Sequence, residues 1–319
     1  DSRILVTGGT GFMGKWLLEF IRLLNLNFGF NCNVTSLSRN PESLLKDAPH
    51  LFNYEKFEFI DSDVRDYENI PSGVNYIIHA AASPDNRMHV TNPVEISDII
   101  GSGAKNIFEN SMDLPALKKI INISSGQVYG KISSAKEVAE ADMGILKCDN
   151  ITSIYPEAKR FSESLSHGYR SQYKLPIVTV RPFSFMGPYQ VLDKPWAINN
   201  FFNDAMLGSD IRIISDGNAV RSYMYPSDMA FWMLSLLVNA NPGEHFNLGS
   251  PEMINFKDLA EKVIIASGSN VKTVVTNHHE DNSVFVPDIS KIQKVMKLDI
   301  TVNLESLLKR TIAWYRLSV

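Results

Sequence analysis

Thr7-Gly8-Gly9-Thr10-Gly11-Phe12-Met13-Gly14 follows the apolar run Ile4-Leu5-Val6 and opens a stretch with helical spacing. Gly8, Gly11 and Gly14 spell Gly-x-x-Gly-x-x-Gly. The early glycines permit a tight turn and let the backbone approach a pyrophosphate on the amide-rich start of a helix, and the last lets helix and strand pack closely. Phe12 and Met13 lie inside the same turn and are read with it as cofactor contacts. Glycines also make ordinary turns. The position of this motif, after a strand and before an amphipathic helix, points instead to a dinucleotide cradle.

Working outward, Ile4–Val6, Val34–Leu37, Phe57–Ile60, Tyr76–His79, Lys119–Ile123 and Ile177–Arg181 read as strands. Segments beginning near Gly14, Glu42, Pro93 and Tyr155 read as helices between them. Apolar strands alternating with helices imply an α/β fold, a doubly wound parallel sheet covered on both faces. After Arg181 the texture changes, because Pro182, Pro188, Pro195, Gly187 and Gly208 break the chain into shorter pieces. The expected organisation is a dinucleotide-binding domain over 1–182 and a smaller substrate lobe over 183–319. The chain returns to the first near 226–248, through a helix at Ser227–Asn239 and a strand at His245–Leu248. A final helix is expected near Leu304–Tyr315.

The end of the second strand, Leu37-Ser38-Arg39-Asn40, bears on the cofactor. A carboxylate here would accept from the ribose 2′-hydroxyl of NAD, whereas an arginine can pair with a 2′-phosphate. Arg39 therefore favours NADP over NAD, with Ser38 beside it as a further cofactor contact, although a solvated arginine over the adenine suits either. Asp63-Val64 is expected beside the adenine. His79-Ala80-Ala81-Ala82 ends the fourth strand, where Ala80, Ala81 and Ala82 would let a cofactor lie close to the backbone and His79 is equally an ordinary buried histidine.

Tyr155-Pro156-Glu157-Ala158-Lys159 carries the chemistry. Pro156 suits the first turn of a helix, and a spacing of four puts Tyr155 and Lys159 on one face. A phenol ionises near 10, and a neighbouring ammonium is expected to bring it toward working pH. Tyr155 could then take a proton from an alcohol as hydride leaves, or return one to a carbonyl. Ser124-Ser125-Gly126-Gln127-Val128-Tyr129-Gly130 follows the strand Lys119–Ile123, at the sheet edge where ligands bind in such folds. Ser125 could hydrogen-bond the reacting oxygen, while Ser124 reads as structural.

Together these residues resemble the extended short-chain dehydrogenase/reductase family, the nucleotide-sugar epimerase and dehydratase group. The resemblance runs over nearly the whole chain: the glycine motif at 8–14, Asp63-Val64-Arg65, Ser124–Gly130, Tyr155 with Lys159, Arg181-Pro182-Phe183 with Gly187-Pro188, and Val220-Arg221-Ser222-Tyr223 before Asp228. It implies a Rossmann domain and a catalytic set of Ser125, Tyr155 and Lys159. Pro182 to Ser184 would border the nicotinamide. Arg221 would grip a substrate pyrophosphate, where a bidentate guanidinium suits phosphate oxygens, with Gly126, Gln127, Ser184 and Asn199 as further substrate contacts. It also implies a homodimer through the helices near 93–111 and 155–173. Four positions depart from the pattern. The family's 4,6-dehydratases carry Asp-Glu directly after the catalytic Ser/Thr, and its decarboxylases keep a Glu there, but Gly126 and Gln127 offer no general acid or base. Ser184 stands in place of a common Asn, and Ile100 in place of a helix Asn.

The resemblance therefore implies hydride transfer at C4 of a nucleotide hexose, by a 4-ketoreductase using NADPH or by a 4-epimerase retaining its cofactor. Dehydration and decarboxylation are disfavoured, and reduction of a non-sugar carbonyl is the other alternative. The bulk properties agree. Net charge is −4 over 319 residues and the pI is near 6.0, which argues against a nucleic-acid surface. The longest apolar run, Phe231–Val238, is too short to cross a bilayer. Cys32 and Cys148 lack metal-ligand spacing and disulfide density, and the opening strand is no signal peptide. The expectation is a soluble cytoplasmic protein in a reducing compartment, without metal.

Overall fold

In the computed structural model, residues 2–132, 136–276 and 278–318 are described. In chain order the elements are β1 (Ser2–Thr7), α1 (Phe12–Phe28), β2 (Cys32–Ser38), α2 (Ser43–Asp47), α3 (Pro49–Phe52), β3 (Phe57–Asp61), β4 (Tyr76–His79), α4 (Asn86–Thr91), α5 (Pro93–Glu109), β5 (Lys119–Ile123), α6 (Ile154–Tyr173) and β6 (Ile177–Pro182). They continue with α7 (Ala197–Met206), β7 (Ile211–Ile213), β8 (Val220–Arg221), α8 (Pro226–Asn239), β9 (His245–Leu248), β10 (Ile254–Asn255), α9 (Phe256–Ser267), β11 (Thr273–Val275), β12 (Val284–Phe285), α10 (Ser290–Met296) and α11 (Leu304–Ser318). Short 3-10 turns cover Gly126–Tyr129 and Ile151–Ser153.

A seven-stranded sheet with the order β3-β2-β1-β4-β5-β6-β9 organises the molecule. Its first six strands pair in parallel, with Val6 opposite Ser36 on one side and Ile78 on the other. The continuous apolar strands follow from burial on both faces: Leu5, Val6, Ile77, Ile78, Ile120, Ile121, Val178 and Val180 are all buried. Leu5, Ile77, Ile120 and Ile177 pack with Ile107 and Phe108 of α5. β1 lies between β2 and β4, so the winding reverses there and a crevice opens beyond its carboxyl end. This is the doubly wound sheet that the alternation of strands and helices predicts.

Two compact units divide the chain. One comprises residues 1–130, 145–182 and 230–246, and the other 131–144, 183–229 and 247–319. The second contains a three-stranded sheet, β10-β8-β12, and a two-stranded sheet, β11-β7. Within it, the buried Asp228 carboxylate at the start of α8 accepts the amides of Thr301 (2.9 Å) and Val302 (3.1 Å). The helix expected from Glu42 is only the five-residue α2. Ala48, with φ −152° and ψ 61°, stops it ahead of Pro49, which disfavours helical geometry in the residue before it. Among the described residues no helix is long and apolar enough to cross a membrane.

Candidate active site

The glycine turn is shaped by close backbone approach. Gly8 has φ +75°, a conformation costly for other residues, and its amide donates to Leu37 O (2.8 Å). A Cβ on Gly8 would stand 2.9 Å from Ala80 O, and one on Gly14 would stand 2.5 Å from Gly9 Cα and O. Gly9, which the motif spacing leaves out, is also constrained, because a Cβ there would meet Ser36 Oγ at 2.0 Å. Gly11 caps α1 without a side-chain hydrogen bond, and no acidic residue occupies the first turn, where Phe12 and Met13 are half-buried. The first amides of α1 and its dipole thus make a favourable place for an anion.

Around this cradle the strand ends converge. Ser38 Oγ is buried with no hydrogen-bond partner, while Arg39 beside it is exposed. Thr7 Oγ1 accepts the amides of Ala80 (3.1 Å) and Ala81 (3.2 Å), so its own proton points to His79 Nδ1 at 3.0 Å. Burial, reinforced by the Lys159 charge, pushes His79 down to about 3, so it is a neutral core residue that braces the turn. Ala80, Ala81 and Ala82 are half-buried along the end of β4. Asp63 is held by Arg65, whose Nε and Nη2 both donate at 2.9 Å, and this pairing holds its carboxyl below the usual range. Arg65 also reaches Glu95 (3.0 Å) and Asp98 (2.7 Å) of α5. Val64 is buried against α5, where a Cβ on Gly103 would meet it at 2.7 Å. Asp63 and Val64 thus first anchor the end of β3 to α5. An amide-rich helix start, an orphaned serine hydroxyl and a cradle that side chains would fill suit a dinucleotide.

Tyr155, Lys159 and Ser125 meet at the carboxyl end of β5. Ser125 Oγ accepts the Gln127 amide (3.1 Å), capping the 3-10 turn. Lys159 Nζ donates to Ile123 O at 2.7 Å. All three side chains are buried. Burial pushes the phenol up to about 12, with the Ser125 hydroxyl opposing it, and pushes the amine down to about 8 against the pull of Glu163. The sequence leads one to expect a phenol lowered by its amine. The desolvation of both groups reverses that balance, because a low-dielectric site favours their neutral forms. Gly126 is buried and Gln127 is exposed, so no carboxylate stands at either position.

A polar interior supports this set. Glu163, one turn beyond Lys159, accepts Arg181 Nε (2.9 Å) and Nη2 (2.7 Å), and Arg181 Nη1 donates to Tyr129 Oη at 3.1 Å. Asn122 on β5 donates to Ser162 Oγ (3.0 Å) and Ser166 Oγ (2.9 Å) of α6. Pro182 is half-buried at the end of β6. His89 of α4 lies against Tyr155, with ring centroids 3.9 Å apart and planes within 10°. Sequence reading misses His89 because α4 is too short for a hydrophobic period. Its one signal is Asp85, an N-cap residue that accepts the Arg87 amide at 3.0 Å.

The remaining expected contacts lie in the second unit. Arg221, on β8, donates through Nη1 to Val220 O (2.8 Å) and Ser283 O (3.0 Å), through Nη2 to Ser283 Oγ (3.0 Å), and lies over the Phe256 ring at 5.4 Å. Ser184 O accepts the Met224 amide at 3.0 Å. Asn199 is fully buried on α7. It donates to Val191 O (2.9 Å), while its Oδ1 is buried with no partner. Among the described residues no group of three or more His, Cys, Asp or Glu side chains could hold a metal ion.

Residues 4–249 match the family model described as the NAD dependent epimerase/dehydratase family. The chain is 26% identical to UDP-glucuronic acid decarboxylase 1 of Xenopus tropicalis, over 99% of this chain and 72% of that one. It is 28% identical to UDP-glucuronic acid decarboxylase 6 of Arabidopsis thaliana, over 95% and 86%. Its fold is similar to that of a UDP-N-acetylglucosamine 4-epimerase from Methanobrevibacter ruminantium, with TM-score 0.87, 22% identity and coverage of 100% and 99%. The UDP-glucuronic acid 4-epimerase of Bacillus cereus, solved with UDP-glucuronic acid and NAD, has TM-score 0.85 at 24% identity over 99% and 100%.

Proposed function

This chain belongs to the NAD dependent epimerase/dehydratase family, and from that premise we propose that it transfers a hydride at C4 of a nucleotide-linked hexose, as a 4-epimerase. A bound nicotinamide dinucleotide would supply the acceptor and donor of that hydride. Gly8, Gly11, Phe12, Met13 and Gly14 would hold its diphosphate, Ser38 and Arg39 its adenosine ribose, Asp63 and Val64 its adenine, and Ala80 to Ala82, Lys159 and Pro182 its remainder.

The chemistry assigned to the chain itself is proton handling. In its phenolate form Tyr155 Oη takes the proton of the sugar 4-hydroxyl as the C4 hydride departs, becoming the neutral phenol, and returns that proton to the 4-keto oxygen when hydride comes back to the other face. Ser125 Oγ hydrogen-bonds that oxygen throughout, and Lys159 provides the nearby positive charge that a phenolate needs. In the second unit, Arg221 would pair with the diphosphate of the substrate, with Ser184 and Asn199 as neighbouring contacts. The observation that supports this reading best is the buried Ser125–Tyr155–Lys159 set with no carboxylate at 126 or 127. Decarboxylation, the activity in the names of the curated relatives, and dehydration both use such a carboxylate in this family.

One observation favours a second reading. Arg39 is exposed just beyond the end of β2, and a guanidinium there could pair with a 2′-phosphate, which would suit a 4-ketoreductase consuming NADPH. Turnover of UDP-, dTDP-, CDP- and GDP-hexoses at limiting cofactor separates the two. An epimerase converts many sugars per cofactor, a ketoreductase stops when NADPH is exhausted, and loss of CO2 or water from the sugar would refute both. A homodimer through α5 and α6 accompanies the proposal. What supports it is the apolar surface exposed on these two helices, Val94 of α5 and Phe161 of α6.

A further inference from the structure

We propose that His89 is a positioning residue for Tyr155, its imidazole lying face to face on the phenol ring and fixing the plane of that ring, and with it the plane in which the conjugated O–H bond and the oxygen lone pairs lie. The inference rests on the reading of Tyr155 as the proton-handling group. A tyrosine side chain turns about two single bonds, and the second of them sets the plane of the ring without moving its oxygen. Elsewhere the ring meets the apolar side chains of Ile96, Ile100, Ala158 and Ala82, which offer shape but no direction. The flat contact with His89, at 3.9 Å and 10°, restrains rotation of the ring about its own axis.

His89 can do this because it is itself held. Its ring is 5% exposed, and its Nε2 lies 2.8 Å from Ser83 O. A carbonyl only accepts, so Nε2 carries the hydrogen and the ring plane is set by that bond. The His89 amide donates to Asp85 O (3.2 Å), while the Asp85 carboxylate caps α4. The charged groups acting on the imidazole are Asp85, from its own segment, and Lys159, from α6, and burial holds it below its usual range. It therefore stacks as the neutral ring.

Three variants test the assignment. His89→Ala removes the ring, His89→Phe keeps a flat ring without the bond to Ser83, and His89→Asn keeps an N–H donor without the ring. On a hexose nucleotide that the parent converts, H89A is expected to lose 10- to 100-fold in kcat, with KM changed by less than about threefold. H89F should recover to within about fivefold of the parent, while H89N stays near H89A. In protein labelled with 13C-tyrosine, the ring resonance absent from Y155F should be ring-current shifted in the parent and in H89F, and should lose that shift in H89N. If H89A does not fold, H89F against H89N decides by both measurements. Rescue by Asn rather than Phe, a kcat for H89A within threefold of the parent, or an unshifted Tyr155 resonance would each overturn the proposal. An active Y155F would instead remove the premise that Tyr155 handles the proton. An inactive Y155F beside a fully active H89A would remove only the role given to His89.

Discussion

Replacing Lys159 by Met separates what the amine costs the fold from what it does in the site. The side chain is 5% exposed, and burial lowers its pKa from 10.5 to about 8. The native state therefore binds this proton less readily than the unfolded chain, and stability rises with pH between the two values. At about 1.4 kcal/mol per pH unit, the native protein at pH 7 carries an ammonium disfavoured by about 3 kcal/mol. Roughly 2 kcal/mol of this is recovered between pH 7 and 9.5, while the unfolded amine is still largely protonated. K159M removes the charge but leaves Ile123 O without its donor, a loss on the order of 1–3 kcal/mol. Those terms nearly cancel at pH 7, so the pH dependence is the diagnostic quantity and absolute stability is not. Urea unfolding of both proteins at pH 7 and 9.5 gives the difference of differences, in which the titration of other groups cancels. The parent should gain about 2 kcal/mol relative to K159M on going to the higher pH, and K159M should have lost turnover. A difference under about 0.5 kcal/mol, or one of opposite sign, would refute a desolvated amine at this position.

Gly14→Ala should lower the melting temperature and abolish stabilisation by dinucleotide, because its methyl would overlap backbone atoms of Gly9 that have no rotamer to yield with. Thermal melts with and without NAD and NADP check this, and a parent-like response would contradict the close packing described for the turn. Arg39→Ala should raise KM for NADP on the order of tenfold while leaving NAD nearly unchanged. Equal effects on both cofactors would show that Arg39 does not read a 2′-phosphate.

Much of the fold was legible because it depends on local spacing. The strands β1, β2, β4, β5 and β6 are short apolar runs, and Tyr155 and Lys159 share a face through the arithmetic of the helix. What spacing leaves out depends on partners distant in sequence. Arg65 joins Asp63 to Glu95 and Asp98 across some thirty residues, and nothing in Asp63-Val64-Arg65 foretells those two carboxylates of α5. His89 meets Tyr155 only after α4 folds back, and six residues hold no readable period. The phenol of Tyr155 is raised where spacing predicts it lowered, for a related reason. Helical spacing reveals the neighbouring amine but not the depth at which both groups sit, and depth decides the sign. In the second unit, β8, β10 and β12 are two residues each. Pairing geometry, rather than alternation of side chains, defines strands so short.

Asn122 and its two serines set the height of α6 on the sheet. Oily contacts between a helix and a sheet tolerate small slides, since one methyl group serves nearly as well as the next. Bonds from a single amide to Ser162 and Ser166 do not, because they break when the helix moves by a fraction of a turn. The amide belongs to the same strand that ends near Ser125, and the serines to the same helix that begins near Tyr155. The spacing between the two reacting hydroxyls is therefore indexed from within, like a rule with a stop. Replacing those serines with larger aliphatic residues would leave a well-filled interior whose two halves no longer agree on where zero is.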